Sequence, residues 1–299
     1  MKEQQTVRAL EALKHAIDFL AGLGIEEAKE EARAILKDGL GIDTLVLYRD
    51  NPPLSSEDIH KLNGILERRK RREPLQYILG FVWFYGLKIR VGSGSLIPRP
   101  ETEILVKEAL ALADKFRTGG KSENEGRRIS VLDLCTGSGA IALALAKNLP
   151  EAAVTAVDIS EDALAWAEKN RELNGAENVR LLKGDLFGPV GQMRFCIITA
   201  NPPYIKDRLI ESLEPEVSCW EPRMALSGGE TGLAFTEDII REAPEHLEPG
   251  GYLLMEMAGG TDTGLLAGMA AQSGLRMENI IKDMAGWERV FIARKPDSK

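Results

Sequence analysis

The fold is decided by residues 131–139, with the sequence VLDLCTGSG. Its first four residues continue a run that begins at Ile129, and this largely apolar run, residues 129–134, predicts a buried β-strand. Gly137 and Gly139 then permit a tight turn, and the pattern from Ala140 to Asn148 predicts a helix. A strand, a glycine turn and a helix in this order are typical of the first unit of a parallel α/β sheet.

The same alternation of strand and helix patterns continues on both sides of this stretch. Strands are predicted at 154–157, 179–182, 195–200, 251–256, 275–281 and 289–293, and helices at 103–115, 161–174, 232–247 and 264–273. Such alternation predicts an α/β fold with a doubly wound, mostly parallel sheet over residues 101–299. In such a sheet, ligands bind beyond the carboxyl ends of the strands. The segment from Arg117 to Arg128 is rich in glycine and charge and is predicted to be an irregular excursion before the sheet.

Two smaller regions precede this domain. Residues 1–72 are predicted to form a small helical domain, because apolar residues recur there at helical spacing. The helical patterns cover residues 7–20, 26–40 and 55–72. Residues 73–100 are predicted to be a connector, in which the pattern from Tyr77 to Val91 favours a β-hairpin.

Composition narrows the class of protein. With 44% hydrophobic and 28% charged residues, the 299-residue chain has the composition of a globular protein. No segment approaches the ~20 apolar residues of a membrane span, and Met1–Gln5 leads into a helical pattern rather than the apolar core of a signal peptide. The three cysteines lack metal-ligand spacing, and their odd number argues against a disulfide framework. We therefore expect a cytoplasmic protein without a metal site.

The charge is unevenly distributed. Residues 1–100 carry a net charge of +2, whereas residues 101–299 carry −10. An acidic main domain disfavours a long nucleic-acid groove, because phosphate neutralisation dominates that kind of binding. The basic run Arg68–Arg72 ends a predicted helix. We interpret it as a solvated helix end whose cations complement the helix dipole; the alternative is a docking patch for RNA or an acidic protein surface.

The most distinctive motif is Asn201-Pro202-Pro203-Tyr204, which follows the predicted strand Phe195–Ala200. The two prolines fix φ and lack N–H donors, so the carbonyls beside them stay free to accept hydrogen bonds. The Asn201 side chain adds a further acceptor, and Tyr204 adds a flat apolar wall. This combination predicts a rigid pocket that grips a planar group bearing an NH2, as nitrogen methylation requires.

The glycine turn predicts a nucleoside site. Asp158 ends the next strand, where a carboxylate can accept hydrogen bonds from both ribose hydroxyls; the alternative is that it caps the following helix, a role for which Ser160 competes. Asp185 follows the third strand, in Gly184-Asp185-Leu186-Phe187, and can bond an adenine amino group, while Leu186 or Phe187 packs on the ring. The turn lacks the third glycine of a pyrophosphate fingerprint.

The acid before the turn, Asp133, would repel a phosphate and instead suits an ammonium or sulfonium group. These features together predict S-adenosyl-L-methionine as the cofactor. The residues predicted to bind it are Asp133, Cys135, Thr136, Gly137, Ser138, Gly139, Asp158, Ile159, Asp185, Leu186, Phe187 and Asn201.

With these motifs the chain resembles a class I S-adenosylmethionine-dependent methyltransferase that modifies amino groups. Further segments narrow the resemblance to the peptide chain release factor glutamine N5-methyltransferases over about residues 73–294. These segments are Leu96-Ile97-Pro98-Arg99-Pro100-Glu101-Thr102-Glu103, Glu221-Pro222, Ala225-Leu226, Gly228-Gly229 and Ala285-Gly286. The sequence departs from the family pattern at Cys135, where a glycine is usual and where another residue is tolerated if its φ is negative.

The resemblance implies the substrate and the partner. Members of the family methylate the side-chain amide of the glutamine in the Gly-Gly-Gln loop of class 1 release factors. Carried over to this chain, Asn201 and the Pro202 carbonyl would accept the two amide hydrogens, and Pro203 and Tyr204 would complete the substrate site. Arg99, held extended between Pro98 and Pro100, would either steer the release factor loop or brace the connector. The helical domain would grip the release factor, and nothing in the sequence demands an oligomer, so we expect a monomer.

Two other functions remain open at this point. An adenine N6 amine also presents two hydrogens on a planar nitrogen, so the chain could be an N6-adenine methyltransferase acting on DNA or RNA. Such enzymes extrude the base and need a basic cleft, which the acidic main domain does not favour. A cofactor-binding module without catalysis would leave the amide-gripping residues without a task.

Overall fold

The computed structural model describes residues 7–118 and 128–297. Contacts within the chain define two compact units. One unit consists of Met1–Gly80 with Glu214–Trp220, and the other consists of Phe81–Leu213 with Glu221–Lys299. Most of the predicted excursion from Arg117 to Arg128 lies outside the described residues, as do Met1–Gln5. The division of the chain at residues 72 and 100 stays a prediction.

The helices and strands are numbered in chain order. The α-helices are α1 (Ala9–Gly22), α2 (Ala28–Ala34), α3 (Thr44–Asp50), α4 (Ser56–Arg69), α5 (Leu75–Leu79), α6 (Glu103–Thr118), α7 (Ala140–Asn148), α8 (Glu161–Asn174), α9 (Asp207–Ile210), α10 (Pro215–Ser218), α11 (Arg223–Leu226), α12 (Ala234–His246) and α13 (Thr263–Gln272). The β-strands are β1 (Phe81–Phe84), β2 (Leu87–Arg90), β3 (Ser130–Leu134), β4 (Ala153–Asp158), β5 (Val179–Lys183), β6 (Phe195–Ala200), β7 (Leu247–Glu256), β8 (Arg276–Lys282) and β9 (Glu288–Arg294).

The helical unit is organised around one apolar cluster. Leu13 and Leu20 of α1 are buried there with Leu62 and Leu66 of α4, each pair at the spacing of one helix face. A capping box starts α4, because the Ser55 hydroxyl accepts the Asp58 N–H at 3.1 Å and the Asp58 carboxylate accepts the Ser55 N–H at 3.0 Å. The sequence patterns predicted this packing but not α3 or the π-helical turn Ile35–Gly39 that continues α2.

The start of the connector differs from the prediction. Residues 75–79 form helix α5, whereas the sequence pattern placed them in or beside the first strand of a hairpin. Pro74 precedes the helix, and Gly80, with φ +80°, ends it. Leu75 and Leu79 lie one helical turn apart and both pack on the apolar cluster, so tertiary burial decides in favour of a helix. The hairpin itself forms from β1 and β2, with Phe84 paired to Leu87.

The interpretation of the basic run as a solvated helix end is wrong for Arg69 and Arg72, whereas the Arg68 side chain is paired but stays 41% exposed. Arg69 is 1% exposed and bonds Glu31 at 2.8 Å and Glu216 at 2.9 Å. Arg72 bonds the other oxygen of Glu216 at 2.7 Å, and Arg68 bonds Glu73 at 2.8 Å. These cations neutralise acids of the same unit, so the docking-patch alternative also loses most of its charge.

The second unit contains a seven-stranded sheet with the order β5-β4-β3-β6-β7-β9-β8. Strands β5, β4, β3, β6 and β7 pair in parallel, and β9 runs antiparallel to both of its neighbours. The chain leaves β3 toward β4 and β5 on one side and returns to β6 and β7 on the other. The strand order therefore reverses between β3 and β6, and a ligand is expected beyond their carboxyl ends.

Helices cover the sheet in two groups. Leu132 and Leu134 of β3 alternate with Val131 and Asp133, so the two sets point to opposite faces. The first set packs in a core with Ile239 of α12 and other residues of α12 and α13, whereas α6, α7 and α8 pack together as a second group against the sheet. The predicted doubly wound α/β fold is confirmed.

Candidate active site

The carboxyl ends of β3, β4, β5 and β6 open onto one cavity of about 990 Å³, a volume that includes its open mouth. Ten residues singled out from the sequence line it: Cys135, Thr136, Gly137, Ser138, Asp158, Ile159, Asp185, Leu186, Asn201 and Pro203. They come from the ends of four strands that are far apart in the chain. The cavity therefore lies where the reversal of strand order predicts a ligand site.

Six of the predicted site residues are not part of the cavity lining: Arg99, Asp133, Gly139, Phe187, Pro202 and Tyr204. Each of them lies behind or beside a residue that does line the cavity.

Asp133 supports the glycine turn from inside the protein. It is fully buried and accepts hydrogen bonds from the hydroxyls of Thr136 at 2.6 Å and Thr199 at 2.8 Å. Burial raises the pKa of Asp133 to about 7, although these hydrogen bonds oppose the rise. One carboxylate oxygen thus holds Thr136 of the turn and the other holds Thr199 of β6, and the predicted contact between Asp133 and a cationic ligand group stays a prediction.

The glycine turn requires the two glycines that form it. Gly137 has φ +57° and Gly139 has φ +84°, both in the left-handed region. A Cβ on Gly139 would lie 3.2 Å from the Cβ of Ala167 in α8. The turn is thus packed tightly against α8, and its Gly137 face is left open to the cavity.

Cys135 departs from the expectation of a negative φ, because its φ is +55°. A left-handed backbone costs a residue with a side chain about 1–2 kcal/mol. Burial, followed by the nearby carboxylates of Asp158 and Asp133, raises the pKa of the thiol above its usual range. The raised pKa favours the protonated thiol over the more nucleophilic thiolate.

We expect Cys135→Gly to be more stable than Cys135→Ala by about 1 kcal/mol, because only glycine adopts positive φ without strain. The matched control is Cys219, whose φ is −100°; there the Ala variant should be the more stable of the pair by about 0.5–1 kcal/mol. Urea unfolding of the four variants measures both differences. The same order of stability at the two positions would contradict the strain at Cys135.

Asp158 connects the turn to the next strand. Its Oδ2 accepts the Gly137 N–H at 2.7 Å and its Oδ1 accepts the Ser160 N–H at 2.9 Å. The helix cap of α8 is Ser160, which accepts the Ala163 N–H at 3.2 Å, so the alternative role of Asp158 as the cap is wrong. Burial raises the pKa of Asp158, and the backbone hydrogen bonds oppose this. The carboxylate keeps two lone-pair positions for further donors.

The residues after β5 show which of Leu186 and Phe187 is placed to pack on an adenine ring. Asp185 and Leu186 line the cavity, and Leu186 has φ +41°. Phe187 is 3% exposed and stacks on His246 with ring centroids 4.5 Å apart. Leu186 is therefore available to a ligand ring, whereas Phe187 belongs to the core.

The tetrapeptide Asn201–Tyr204 is held from both sides. The Asn201 Nδ2 donates to Thr102 Oγ1 at 3.4 Å, and the Tyr204 hydroxyl donates to Glu256 Oε1 at 3.1 Å. Behind it, a Cβ on Gly228 would lie 2.8 Å from the Pro203 carbonyl oxygen. Only a glycine fits at this position, so Gly228 forms a rigid backing for the tetrapeptide.

Arg99 braces the connector. Its guanidinium is paired with Glu221, which is 5% exposed and also accepts the Ile97 N–H at 3.1 Å. A buried acid that holds both the Arg99 side chain and the backbone beside it favours the bracing role over free steering of a substrate.

Sequence reasoning missed three residues of this region. Thr102 lines the cavity, Glu221 holds Arg99, and Glu256 bonds Tyr204. Glu256 could have been found from the sequence in the same way as Asp158, since both are acids at the carboxyl end of an apolar strand of the sheet.

Comparison with known proteins agrees with this geometry. Residues 11–80 match the family model described as PrmC N-terminal domain, and residues 121–213 match the model described as Methyltransferase small domain. A release factor glutamine methyltransferase of Thermodesulfovibrio yellowstonii is 42% identical over 98% of this chain and 100% of its own. That of Geobacter sulfurreducens is 42% identical over 92% and 93% of the two chains. This chain belongs to the release factor glutamine methyltransferase family.

Solved structures agree with the fold of this release factor glutamine methyltransferase family member. A methyltransferase of Pyrococcus furiosus has a TM-score of 0.51 at 24% identity and covers 71% of this chain and 90% of its own. The human methyltransferase 10 domain containing protein has a TM-score of 0.50 and covers 72% and 90%. Within residues 7–118 and 128–297, no helix is both long and apolar enough to span a bilayer. The same residues contain no group of His, Cys, Asp or Glu side chains arranged to hold a metal ion.

The cavity of the family member fits S-adenosylmethionine. Asp158 and Asp185 place two carboxylates at the cavity, and Ile141 and Leu186 place apolar surface there; the predicted contacts of the two acids with ribose hydroxyls and an adenine amino group stay predictions. No Lys or Arg is among the described residues that line the cavity. A pocket with two carboxylates and no cation disfavours a phosphate-bearing nucleotide and suits a nucleoside that carries a positive charge.

Proposed function

We propose that this protein transfers a methyl group from S-adenosyl-L-methionine to the side-chain amide nitrogen, N5, of the glutamine in the Gly-Gly-Gln loop of class 1 peptide chain release factors. Release factor glutamine methyltransferases at 42% identity span nearly the whole chain. The observation that carries the proposal is the position of Asn201 in the same cavity as Asp158 and Asp185. An amide acceptor thus shares one cavity with the groups that suit a nucleoside cofactor.

The residues of the chain act by orientation. We assign the Oδ1 of Asn201 and the carbonyl of Pro202 as acceptors for the two hydrogens of the substrate amide. An amide nitrogen is a poor nucleophile, because its lone pair is delocalised into the carbonyl. Two fixed acceptors hold the nitrogen in one orientation and draw electron density onto it, and such alignment reaches effective molarities of about 10⁵–10⁸ M.

S-Adenosylmethionine supplies an electrophilic methyl group on a positively charged sulfur. Asp158, Asp185 and Leu186 are assigned to its nucleoside, with Gly137 providing close backbone approach. Pro203, which lines the cavity, is assigned to the wall against the substrate amide, and Tyr204, which lies beside it and bonds Glu256, is assigned to the support of that wall. Pro98, Pro222 and Phe235 add apolar lining to the cavity, and apolar lining limits water at a reacting nitrogen.

The partner and location follow from the substrate. We propose that the protein works as a monomer in the cytoplasm and that its helical domain grips the release factor. The acidic main domain and the cation-free cavity lining argue against DNA or RNA as the substrate.

The decisive experiment incubates the protein with S-adenosylmethionine and a purified class 1 release factor, followed by intact-mass analysis and peptide mapping. The expected result is one added methyl group on the glutamine of the Gly-Gly-Gln loop, absent from a release factor whose loop glutamine is changed to alanine. Methylation of adenine in DNA or RNA, with the release factor unmodified, would overturn the proposal in favour of the N6-adenine alternative.

A further inference from the structure

Asn170 of α8 is a fully buried polar residue to which the proposed reaction gives no role. Its side-chain amide makes three hydrogen bonds to two other segments of the chain. The Oδ1 accepts the Arg90 N–H at 2.7 Å, and the Nδ2 donates to the Arg90 carbonyl and to the Ser138 carbonyl, each at 2.9 Å. These bonds use both hydrogens of the NH2 group, and only the Oδ1 can meet the Arg90 N–H. Asn170 thus joins the end of β2 to the glycine turn.

The bonds from Asn170 to β2 belong to a row of hydrogen bonds along one face of α8. Trp166 and Asn174 lie one helical turn before and after Asn170, so the three side chains share a face. The Asn174 Nδ2 donates to the Lys88 carbonyl at 3.1 Å, and the Trp166 Nε1 donates to the Ser93 carbonyl at 3.1 Å. This face of α8 therefore holds both the second strand of the hairpin and the segment that follows it.

The segment that follows β2 forms one wall of the cavity, since Gly94 and Leu96 line it. The same segment lies directly on α8. A Cβ on Gly92 would lie 2.5 Å from the Trp166 ring, and a Cβ on Gly94 would lie 2.8 Å from the Cβ of Asp162. The absence of side chains on the two glycines permits this close approach. The position of this wall is therefore set by α8.

The glycine turn is a second wall of the same cavity, and it also rests on α8. Residues 136–138 line the cavity, and the turn packs against Ala167 at Gly139, where a Cβ would lie 3.2 Å from the Ala167 Cβ. Asn170 lies one helical turn beyond Ala167. It therefore stands where the face of α8 that carries the turn meets the face that carries the hairpin.

We propose that Asn170 is a positioning residue for S-adenosylmethionine: by bonding the Ser138 carbonyl and the Arg90 backbone at once, it fixes the glycine turn against the end of the hairpin and so sets the distance between two walls of the cavity. Asn170 is not among the described residues that line the cavity, so it acts through the backbone of the turn. The inference deepens the function proposed above, because it rests on this cavity being the cofactor site.

The positioning affects affinity through the free protein. A turn that is already held in its binding geometry loses less free energy when the cofactor binds than a turn that must first be ordered. Without Asn170, the Ser138 carbonyl loses its buried donor, and the free turn relaxes to satisfy that carbonyl in another way. The cofactor must then reverse this relaxation when it binds, so its affinity falls.

The test is isothermal titration of S-adenosylmethionine into wild type, Asn170→Ala and Asn174→Ala. In Asn170→Ala the dissociation constant should rise about tenfold, because one lost buried hydrogen bond corresponds to about one tenfold step in an equilibrium constant. Asn174→Ala is the matched control. It removes a bond from the same helix to the same strand, at Lys88, and keeps the bond from Asn170 to the turn, so its affinity should stay within about twofold of wild type.

Thermal unfolding of both variants separates positioning from a merely structural role. An amide that only stabilises the packing of α8 would lower the melting temperature in Asn170→Ala and leave the cofactor affinity of the folded protein unchanged. That result would overturn the proposal, and so would an equal loss of affinity in Asn174→Ala.

Hydrogen exchange in the wild-type protein gives a second test that needs no variant to fold. The Arg90 N–H is bonded to Asn170, which also holds the turn, so cofactor binding at the turn should slow exchange at Arg90. The Leu87 N–H, at the other end of β2, should change less. Exchange at Arg90 that is unaffected by saturating S-adenosylmethionine would contradict the link through Asn170.

Neither of these measurements uses the release factor, which keeps the inference distinct from the proposed function. If wild type binds the cofactor and Asn170→Ala binds it more weakly, but wild type transfers no methyl group to the release factor, the proposed function fails and the positioning by Asn170 stands. Where methylation is observed, the KM for S-adenosylmethionine should rise about tenfold in Asn170→Ala, with kcat nearly unchanged. A fall in kcat at an unchanged KM would mean that the positioning fails while the proposed function stands.

Discussion

Replacing Asn201 with alanine is expected to lower the rate of release factor methylation by about 10²–10³-fold, the typical effect of removing one hydrogen-bonding group that acts on a reacting centre. The variant loses the Oδ1 acceptor at the cavity and the bond to Thr102. The substrate amide would then rotate about the remaining acceptor, the Pro202 carbonyl. The loss is expected in kcat, since the proposed contacts align the nitrogen rather than bind the body of the release factor.

Single-turnover rates with saturating S-adenosylmethionine measure this effect, and calorimetry checks that the cofactor still binds. Asn279→Ala is the matched control, because Asn279 is exposed on β8. A rate within threefold of wild type for Asn201→Ala, or an equal loss in the control, would contradict the assignment of Asn201 to the substrate amide.

Replacing Asp158 with asparagine is expected to weaken cofactor binding by about 10²-fold, equivalent to about 3 kcal/mol. The carboxylate now accepts the N–H groups of Gly137 and Ser160 and keeps lone pairs for two ribose hydroxyls. In the asparagine variant the NH2 group would face one of these backbone donors. The turn would move, and charge-assisted hydrogen bonds worth about 1.5–3 kcal/mol each would be lost.

Isothermal titration with S-adenosylmethionine gives the dissociation constants. Glu172→Gln is the control. Glu172 belongs to α8, the helix that begins just after Asp158, and its side chain is exposed, so this variant should bind the cofactor normally. Thermal unfolding of each variant separates a local change in the turn from loss of the fold. Affinity within threefold of wild type in Asp158→Asn would contradict the ribose assignment.

Residues at the ends of strands were the ones that the sequence located best. Asp158 ends an apolar strand, Asn201 directly follows another, and Asp185 comes shortly after the edge strand β5. Parallel strands bring their carboxyl ends to one edge of a sheet. Their positions at one cavity could therefore be predicted without knowing the strand order.

Side-chain direction was predicted less well. Phe187 directly follows the cavity residue Leu186, and Asp133 lies two residues before the cavity residue Cys135. Asp133 nevertheless points into the protein beneath the glycine turn, and Phe187 points into the core against His246. Adjacent residues of a strand or turn point in different directions. The pattern of residue types does not show which of two neighbours faces a ligand, and it also did not show the positive φ of Cys135.

The sequence by itself determined the α/β fold, the glycine turn, the cofactor class and the tetrapeptide Asn201–Tyr204, because these depend on local periodicity and on residues close together in the chain. Only the tertiary structure decided that Glu221 holds Arg99, that Glu216 neutralises Arg69 and Arg72, and that Glu256 accepts the Tyr204 hydroxyl. These pairs join residues separated by more than fifty positions. Their partners are chosen by the packing of the folded chain, which brings buried acids to the donors that can satisfy them.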